Sequence, residues 1–168
     1  LAGEKFLKHS SGGFVEAIAT QVGGGGAEDK IPALDASGRL DVSMMPTGIG
    51  ADTASIQASE NLAAGDLVNI HNVTGSARVR KADATTVGKE ANGFVLAGVT
   101  SGANAIVYFE GNNAQVTGLT PGALYLSTTA GLATSTPPSA SGNVVQKVGF
   151  ATAATSLNFD SGTAVVLA

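Results

Sequence analysis

From residue 54 onward the chain is built of short apolar stretches cut by Gly, Asn, Ser, Thr and Pro. Examples are AIVYF at 105–109, ALYLS at 123–127, VVQKVGF at 144–150, SLNF at 156–159 and TAVVL at 163–167. Runs this short, rich in Val, Leu, Ile, Tyr and Phe and bounded by turn formers, read as β-strands. The pattern predicts strands at 55–58, 67–71, 77–81, 93–97, 105–109, 114–116, 123–127, 132–134, 144–150, 156–159 and 163–167. Between them, Ala64-Gly65-Asp66, Thr74-Gly75-Ser76, Ser101-Gly102-Ala103, Gly111-Asn112-Asn113, Thr120-Pro121-Gly122, Ala130-Gly131 and Ser161-Gly162 carry turn chemistry. Many short strands with Gly-rich turns predict an all-β domain, a small antiparallel barrel or sandwich. Pro137-Pro138 is a corner, because proline cannot donate into a central ladder. A helical turn or two is predicted only around 82–90.

Alternation assigns faces. In 105–109, Ile106 and Tyr108 point one way and Val107 and Phe109 the other, so the strand is expected to be buried on both sides. In 144–148, Val144, Gln146 and Val148 oppose Val145 and Lys147. A two-sided apolar strand in so small a domain calls for a second layer, from this chain or from another subunit.

Residues 1–53 read differently, as an extended N-terminal arm with little regular structure, and 54–168 as the β-domain. Gly23–Gly26 predicts a flexible break. FVEAIATQV, after Gly12-Gly13, fits two turns of helix or one short strand. Asp35-Ala36-Ser37-Gly38 has turn chemistry. The arm's apolar residues, Phe14, Val15, Ile18, Ile31, Leu34, Leu40, Met44, Met45 and Ile49, follow no sustained period of 3.6 or 2 and cannot build a core of their own. They suit a segment that lays separate apolar contacts along a partner's surface and orders on binding.

Composition sharpens this. Charged residues are 13% of the 168, about half the usual share for a soluble domain. Residues 101–168 hold only Glu110, Lys147 and Asp160. A surface so poor in charge is expected to be covered by sister subunits or a larger assembly. The net charge of −4 and the single basic cluster Arg78, Arg80 and Lys81 argue against nucleic acid as a partner. No apolar run approaches the roughly 18 residues of a membrane helix, and the N-terminus carries no signal-peptide pattern.

Candidate chemistry is sparse. With no cysteine, disulfides, thiolate metal sites and cysteine nucleophiles are excluded. His9 and His71 fall in different halves, and neither is flanked by carboxylates at ligand spacing. Glu28-Asp29 lies in the arm, where acid–base geometry is not held. Gly23–Gly26 lacks the Lys-Ser/Thr of a phosphate loop. Asp52, Asp66, Asp83 and Asp160 are isolated, so no calcium loop is visible. Ser10-Ser11-Gly12-Gly13 lacks the strand and helix of a nucleophile elbow. Asn72-Val73-Thr74 fits a glycosylation sequon without a secretion signal to support it. No catalytic residue, metal ligand or cofactor is expected, and the chain does not read as an enzyme.

Two stretches resemble known phage proteins. KIPALDASGRLDVSMMPTGIG resembles a segment of tailed-bacteriophage virion proteins in which LD-x-x-G-[KR]-[IL]-x-x-x-x-[LM]-P joins an attachment region to a β-rich domain. Residues 60–168 are similar to a small β-domain of phage head-decoration and tail-fibre proteins. The shared phrases run in order: AGDLV, KADA, GFV, A-x-V-x-x-x-G, GLTPG-x-x-YLS and then G-x-V-x-x-x-VG, which here continues Phe150-Ala151. The resemblance implies a capsid decoration (cement) protein on the outer surface of the phage head, assembled in the host cytoplasm. It also implies the major capsid protein as partner and a homo-oligomer, a trimer. The alternative is a short tail fibre or receptor-binding spike, although no shaft is visible. A polysaccharide-degrading enzyme would need paired carboxylates on a rigid groove, and the sequence assigns none.

Overall fold

The computed structural model describes residues 5–25, 27, 30–36, 38–45 and 51–168. The chain divides into two compact units, Leu1–Gly50 and Ala51–Ala168. Ala51–Ala168 is all-β, antiparallel and sandwich-like, without a closed barrel. Its strands are β3 (Thr53–Gln57), β4 (Leu67–Val73), β5 (Ser76–Lys81), β6 (Gly93–Val95), β7 (Asn104–Tyr108), β8 (Gly111–Asn113), β9 (Gly122–Leu126), β10 (Ala133–Thr134), β11 (Val144–Ala153), β12 (Ser156–Phe159) and β13 (Ala164–Val166). The arm contributes β1 (Lys5–Ser10) and β2 (Gly13–Ile18).

One sheet has the order β3-β7-β6-β4-β5 and the other β10-β9-β11-β12-β8, with β13 pairing the N-terminal end of β11. The first sheet curls until its outer strands meet. Ala58, just past β3, bridges Val79 of β5, and the Ser59 amide donates to the Val79 carbonyl at 2.9 Å. Inside the curl lie Ala58, Leu62, Val68, Val79, Val95, Ala105 and Val107. Between the sheets lies a second cluster, including Leu67, Phe94, Leu124, Leu126, Val148, Leu157 and Phe159. Neighbours in sequence therefore serve opposite cores: Leu67 and Val68, or Phe94 and Val95. Burying each such side chain is worth about 1.5–3 kcal/mol.

Most predicted strands appear within a few residues of their expected bounds. β7 is two-sided at one end only. Val107 enters the curl and Tyr108 packs against the inter-sheet core, but Ile106 is 48% exposed, because the second sheet does not cover it. The strand expected at 114–116 is instead Gly111–Asn113, which reads as a turn. The buried Asn113 side chain holds it in place: Nδ2 donates to the Gly65 carbonyl at 2.9 Å and Oδ1 accepts from the Gln115 amide at 3.1 Å. In β11, Val144, Gln146 and Val148 face inward as the alternation predicts. A bulge at Gly149 then shifts the register, so that Ala151 returns to the core and Phe150 turns out. Gly149 has φ +128°, and a Cβ there would collide with the Asn158 carbonyl oxygen.

The helical expectation at 82–90 is corrected to a chain of turns. The backbone of this segment is claimed from both sides. Ala82 donates to Leu67 O (2.9 Å) and accepts from Gly131 N (2.8 Å). Ala84 donates to Ser127 O (3.0 Å) and accepts from Val144 N (2.7 Å). Ala91 is held by Gln146, whose Oε1 accepts from the Ala91 amide at 2.7 Å and whose Nε2 donates to its carbonyl at 2.9 Å. Asp83 Oδ1 caps the turn, accepting from the Thr85 amide and hydroxyl at 2.8 and 2.7 Å. A helix would need these same backbone groups for itself. Ala82, Ala84 and Ala91 are wholly buried, so only small side chains fit.

Gln146→Leu keeps the volume but leaves the buried Ala91 amide without an acceptor. Such an orphan costs about 1–3 kcal/mol. The variant is expected to unfold at lower denaturant, with a loss of about 2 kcal/mol. An unchanged midpoint in a urea titration would show that the clamp is dispensable.

Candidate functional site

The arm unit carries the residues expected to make contacts. Its first element is a hairpin, so residues 5–18 are more regular than the sequence pattern predicts. Ser11 and Gly12 both have positive φ, 51° and 83°, which makes the two-residue loop the kind that fits the strand twist. Antiparallel register pairs Leu7 with Glu16, His9 with Phe14 and Lys5 with Ile18, so these six side chains share one face. Lys5 and Glu16 form an ion pair on it. His9 and Phe14 meet edge to face at 5.8 Å. Leu7 is 71% exposed, Phe14 76% and Ile18 55%.

Beyond the hairpin the arm is held by local polar contacts. Thr20 bridges Pro32 in parallel, donating to Ile31 O (3.0 Å) and accepting from Ala33 N (2.7 Å). Gln21 Nε2 donates to Leu34 O at 2.9 Å. Asp35 closes a turn with Arg39. A 3-10 turn at Val42–Met44 is capped by Asp41, whose Oδ1 accepts from the Ser43 amide and hydroxyl. The hydroxyl bond, then the amide bond, hold the Asp41 carboxyl below its usual range. Gly23 is more than a break in the chain: its amide donates to Ser43 Oγ at 2.7 Å, and a Cβ would collide with the Ser43 carbonyl oxygen.

Of the nine arm residues singled out in the sequence, Phe14, Val15, Ile18, Ile31, Leu34, Leu40 and Met45 are exposed and Met44 is half-buried. Ile49 lies outside the described residues, as do Glu28 and Asp29. Leu7 and Val22 are also exposed and were missed in the sequence.

In Ala51–Ala168 the fold brings together carboxylates that look isolated in sequence. Asp52, Glu110 and Asp160 line one cleft of about 650 Å³ with Tyr108, Asn112 and Asn158. Its floor is aromatic: Phe94 stacks on Tyr108 at 5.4 Å and meets Phe159 edgewise at 5.7 Å. Glu60, Asp66, Asp83 and Glu90 are each tied by hydrogen bonds to backbone, and Asp66 also pairs with Lys81 at 3.3 Å. The cleft is thus an anionic, aromatic-floored depression suited to cation or hydroxyl recognition. Among the described residues, no group of three or more His, Asp or Glu could hold a metal ion.

His71, on β4 opposite Arg78, is half-buried, and its Nδ1 is enclosed without a hydrogen-bond partner. Burial first, and the nearby Arg80 guanidinium second, hold its pKa below the usual imidazole value, outweighing opposite contributions from the Arg78 backbone and Glu60.

No family model matches the chain, and no curated protein matches it. Among solved structures, the base of head fiber gp8.5 in bacteriophage phi29 is similar at 15% identity and a TM-score of 0.41, covering 70% of this chain and 94% of that one.

A depressed His71 pKa has a definite sign. The unfolded chain takes up a proton near pH 6.5 and the folded chain only at lower pH. The stability this supplies is complete above pH 6.5 and is lost as pH falls through the folded-state value. The melting temperature is expected to drop between pH 7.5 and pH 5, and His71→Gln to flatten part of that drop. Identical pH profiles for both proteins would remove His71 from the account.

Proposed function

We propose that this chain is a structural virion protein, a capsid decoration protein that binds the outer surface of a phage head and stabilises it. The observation that carries the reading is the arm. Its apolar side chains are presented to solvent on a scaffold of turns and one hairpin, with no core of their own to enter. An isolated two-stranded hairpin is marginal in water. Ordering such a segment costs about 1–2 kcal/mol of backbone entropy per residue, which a partner surface offsets by burying Phe14, Ile18, Leu34 and their neighbours. The LDASGRLDVSMMP phrase and the ordered phrases of 60–168 support a phage virion setting, and the charge-poor stretch 101–168 supports life within an assembly. On this reading the arm grips the major capsid protein and Ala51–Ala168 gathers as a homo-oligomer, a trimer, on the head.

The aromatic-floored cleft favours one other reading, a short tail fibre or receptor-binding spike whose tip recognises a host surface. Copy number per virion separates the two. Hundreds of copies fit decoration; a few dozen or fewer fit a fibre or spike.

The decoration reading predicts that Phe14→Ser, Ile18→Ser and Leu34→Ser, combined in the full chain, weaken binding to undecorated heads at least about a hundredfold, since each lost side chain is worth about 1.5–3 kcal/mol and each 1.4 kcal/mol is tenfold. Melting of the β unit should not change. Equal binding by variant and parent would mean that the arm is not the attachment surface.

A further inference from the structure

Sheet edges are where chains join, and folded proteins usually guard them with charge, proline, bulges or extreme shortness. Within 51–168 nearly every edge is guarded. β5 carries Arg78, Arg80 and Lys81, and its edge is met by Ala58. β10 has two residues and runs on toward Pro137-Pro138. β8 is Gly-Asn-Asn. β3, Thr53–Gln57, is uncharged as well, but the chain just past it is closed against β5 by the Ala58–Val79 bridge. β13 has no such guard. It is Ala164-Val165-Val166, uncharged and β-branched, paired on one side only. Val165 is 59% exposed and Val166 49%, although successive residues of a strand point to opposite faces. Ala164 is half-buried, but among the described residues no strand pairs with the outer edge of β13.

The hydrogen bonding fixes which groups the free edge offers. Leu167 donates to Asn143 O at 2.9 Å and accepts from Gly142 N at 2.8 Å, so Leu167, and by alternation Val165, turn their backbone groups toward β11. Ala164 and Val166 turn theirs outward. We propose that β13 is a self-association edge, pairing antiparallel with β13 of a second copy about a two-fold axis.

The geometry is self-complementary. With Val165 opposite Val165 of the other copy, Ala164 of each chain meets Val166 of its mate, and these are the residues whose amides and carbonyls point outward. Each such pair exchanges both of its hydrogen bonds, and the two Val165 side chains meet at the close, non-hydrogen-bonded position. Since Val145 pairs with Val165 inside each chain, one face of the joint sheet becomes a row of four valines across β11, β13 and their mates. No charged residue lies in β13, so two copies approach without like charges in contact. The pairing goes beyond the assembly reading above: a two-fold contact closes at two copies and cannot build a trimer, so it is a second contact, joining a copy of one oligomer to a copy of the next, and it is tested on the free protein, without heads.

The chain has no cysteine, which makes a clean probe possible. In a non-hydrogen-bonded antiparallel pair the Cα atoms are about 4.5 Å apart, within disulfide range. Full-length Val165→Cys is expected to form a covalent dimer under mild oxidation. Val87→Cys, equally exposed but away from any strand edge, is the control. Adding Val166→Pro to Val165→Cys removes an outward amide while leaving the bonds to β11, and is expected to slow cross-linking at least about tenfold. Circular dichroism of each variant checks that it is folded. Cross-linking of Val165→Cys no faster than Val87→Cys, or unaffected by Val166→Pro, would overturn the proposal. Failure to bind heads together with efficient cross-linking would instead sink the decoration reading and leave this one standing.

Discussion

The β unit depends on the satisfaction of one buried length of backbone. Residues 82–92 run between the two sheets without belonging to either; the loop 85–88 is exposed, but Ala82, Ala84 and Ala91 are wholly buried, and their amides and carbonyls must find partners inside the fold. Leu67 and Val68 bind them from the first sheet. Ser127, Gly131 and Val144 bind them from the second, and Gln146 closes the far end by binding both backbone groups of Ala91. An unpaired buried backbone group costs as much as a lost hydrogen bond, so the sheets cannot slide or separate without exposing or orphaning several at once. The choice of alanine at 82, 84 and 91 follows from the same constraint, since any larger side chain would push the sheets apart.

From that wedge the two cores take their places. The first sheet curls around Val68, Val79, Val95 and Val107, and its outer surface lends Leu67, Phe94 and Tyr108 to the layer shared with the second sheet. The aromatic stack of Phe94, Tyr108 and Phe159 ends at the surface where Asp52, Glu110 and Asp160 gather. Core and cleft thus share side chains. The floor of the cleft is rigid because it is also the inter-sheet packing, and its rim is open because its carboxylates are not spent on internal ties.

The arm inverts this logic. Its order comes from short polar links, Thr20 with Ile31 and Ala33, Gly23 with Ser43, Asp41 with Ser43, while its apolar side chains stay outside. Together with Val165 and Val166 of β13, the arm leaves a set of apolar side chains in solvent.

Much of the β unit was legible in the sequence because strand formation there is local. Short runs at 67–71, 77–81 and 156–159, set off by Gly-containing turns, marked β4, β5 and β12, and alternation in 144–148 put Gln146 on the face of Val144 and Val148. The exposed arm residues were legible too, since an aperiodic apolar set cannot bury itself. What sequence could not decide was everything that depends on distant partners. Gly111–Asn113 became a strand because Asn113 reaches Gly65, 48 positions away. Residues 82–90 lost their helical option to two sheets that local propensity does not see. Asp52, Glu110 and Asp160 came to line one cleft only when the ends of β3 and β7 in one sheet and of β12 in the other were brought together. Local pattern determined which segments could be strands and which side chains had nowhere to hide. Only tertiary structure decided register, the bulge at Gly149, the buried wedge and the cleft, because each is a contact between residues far apart in the chain.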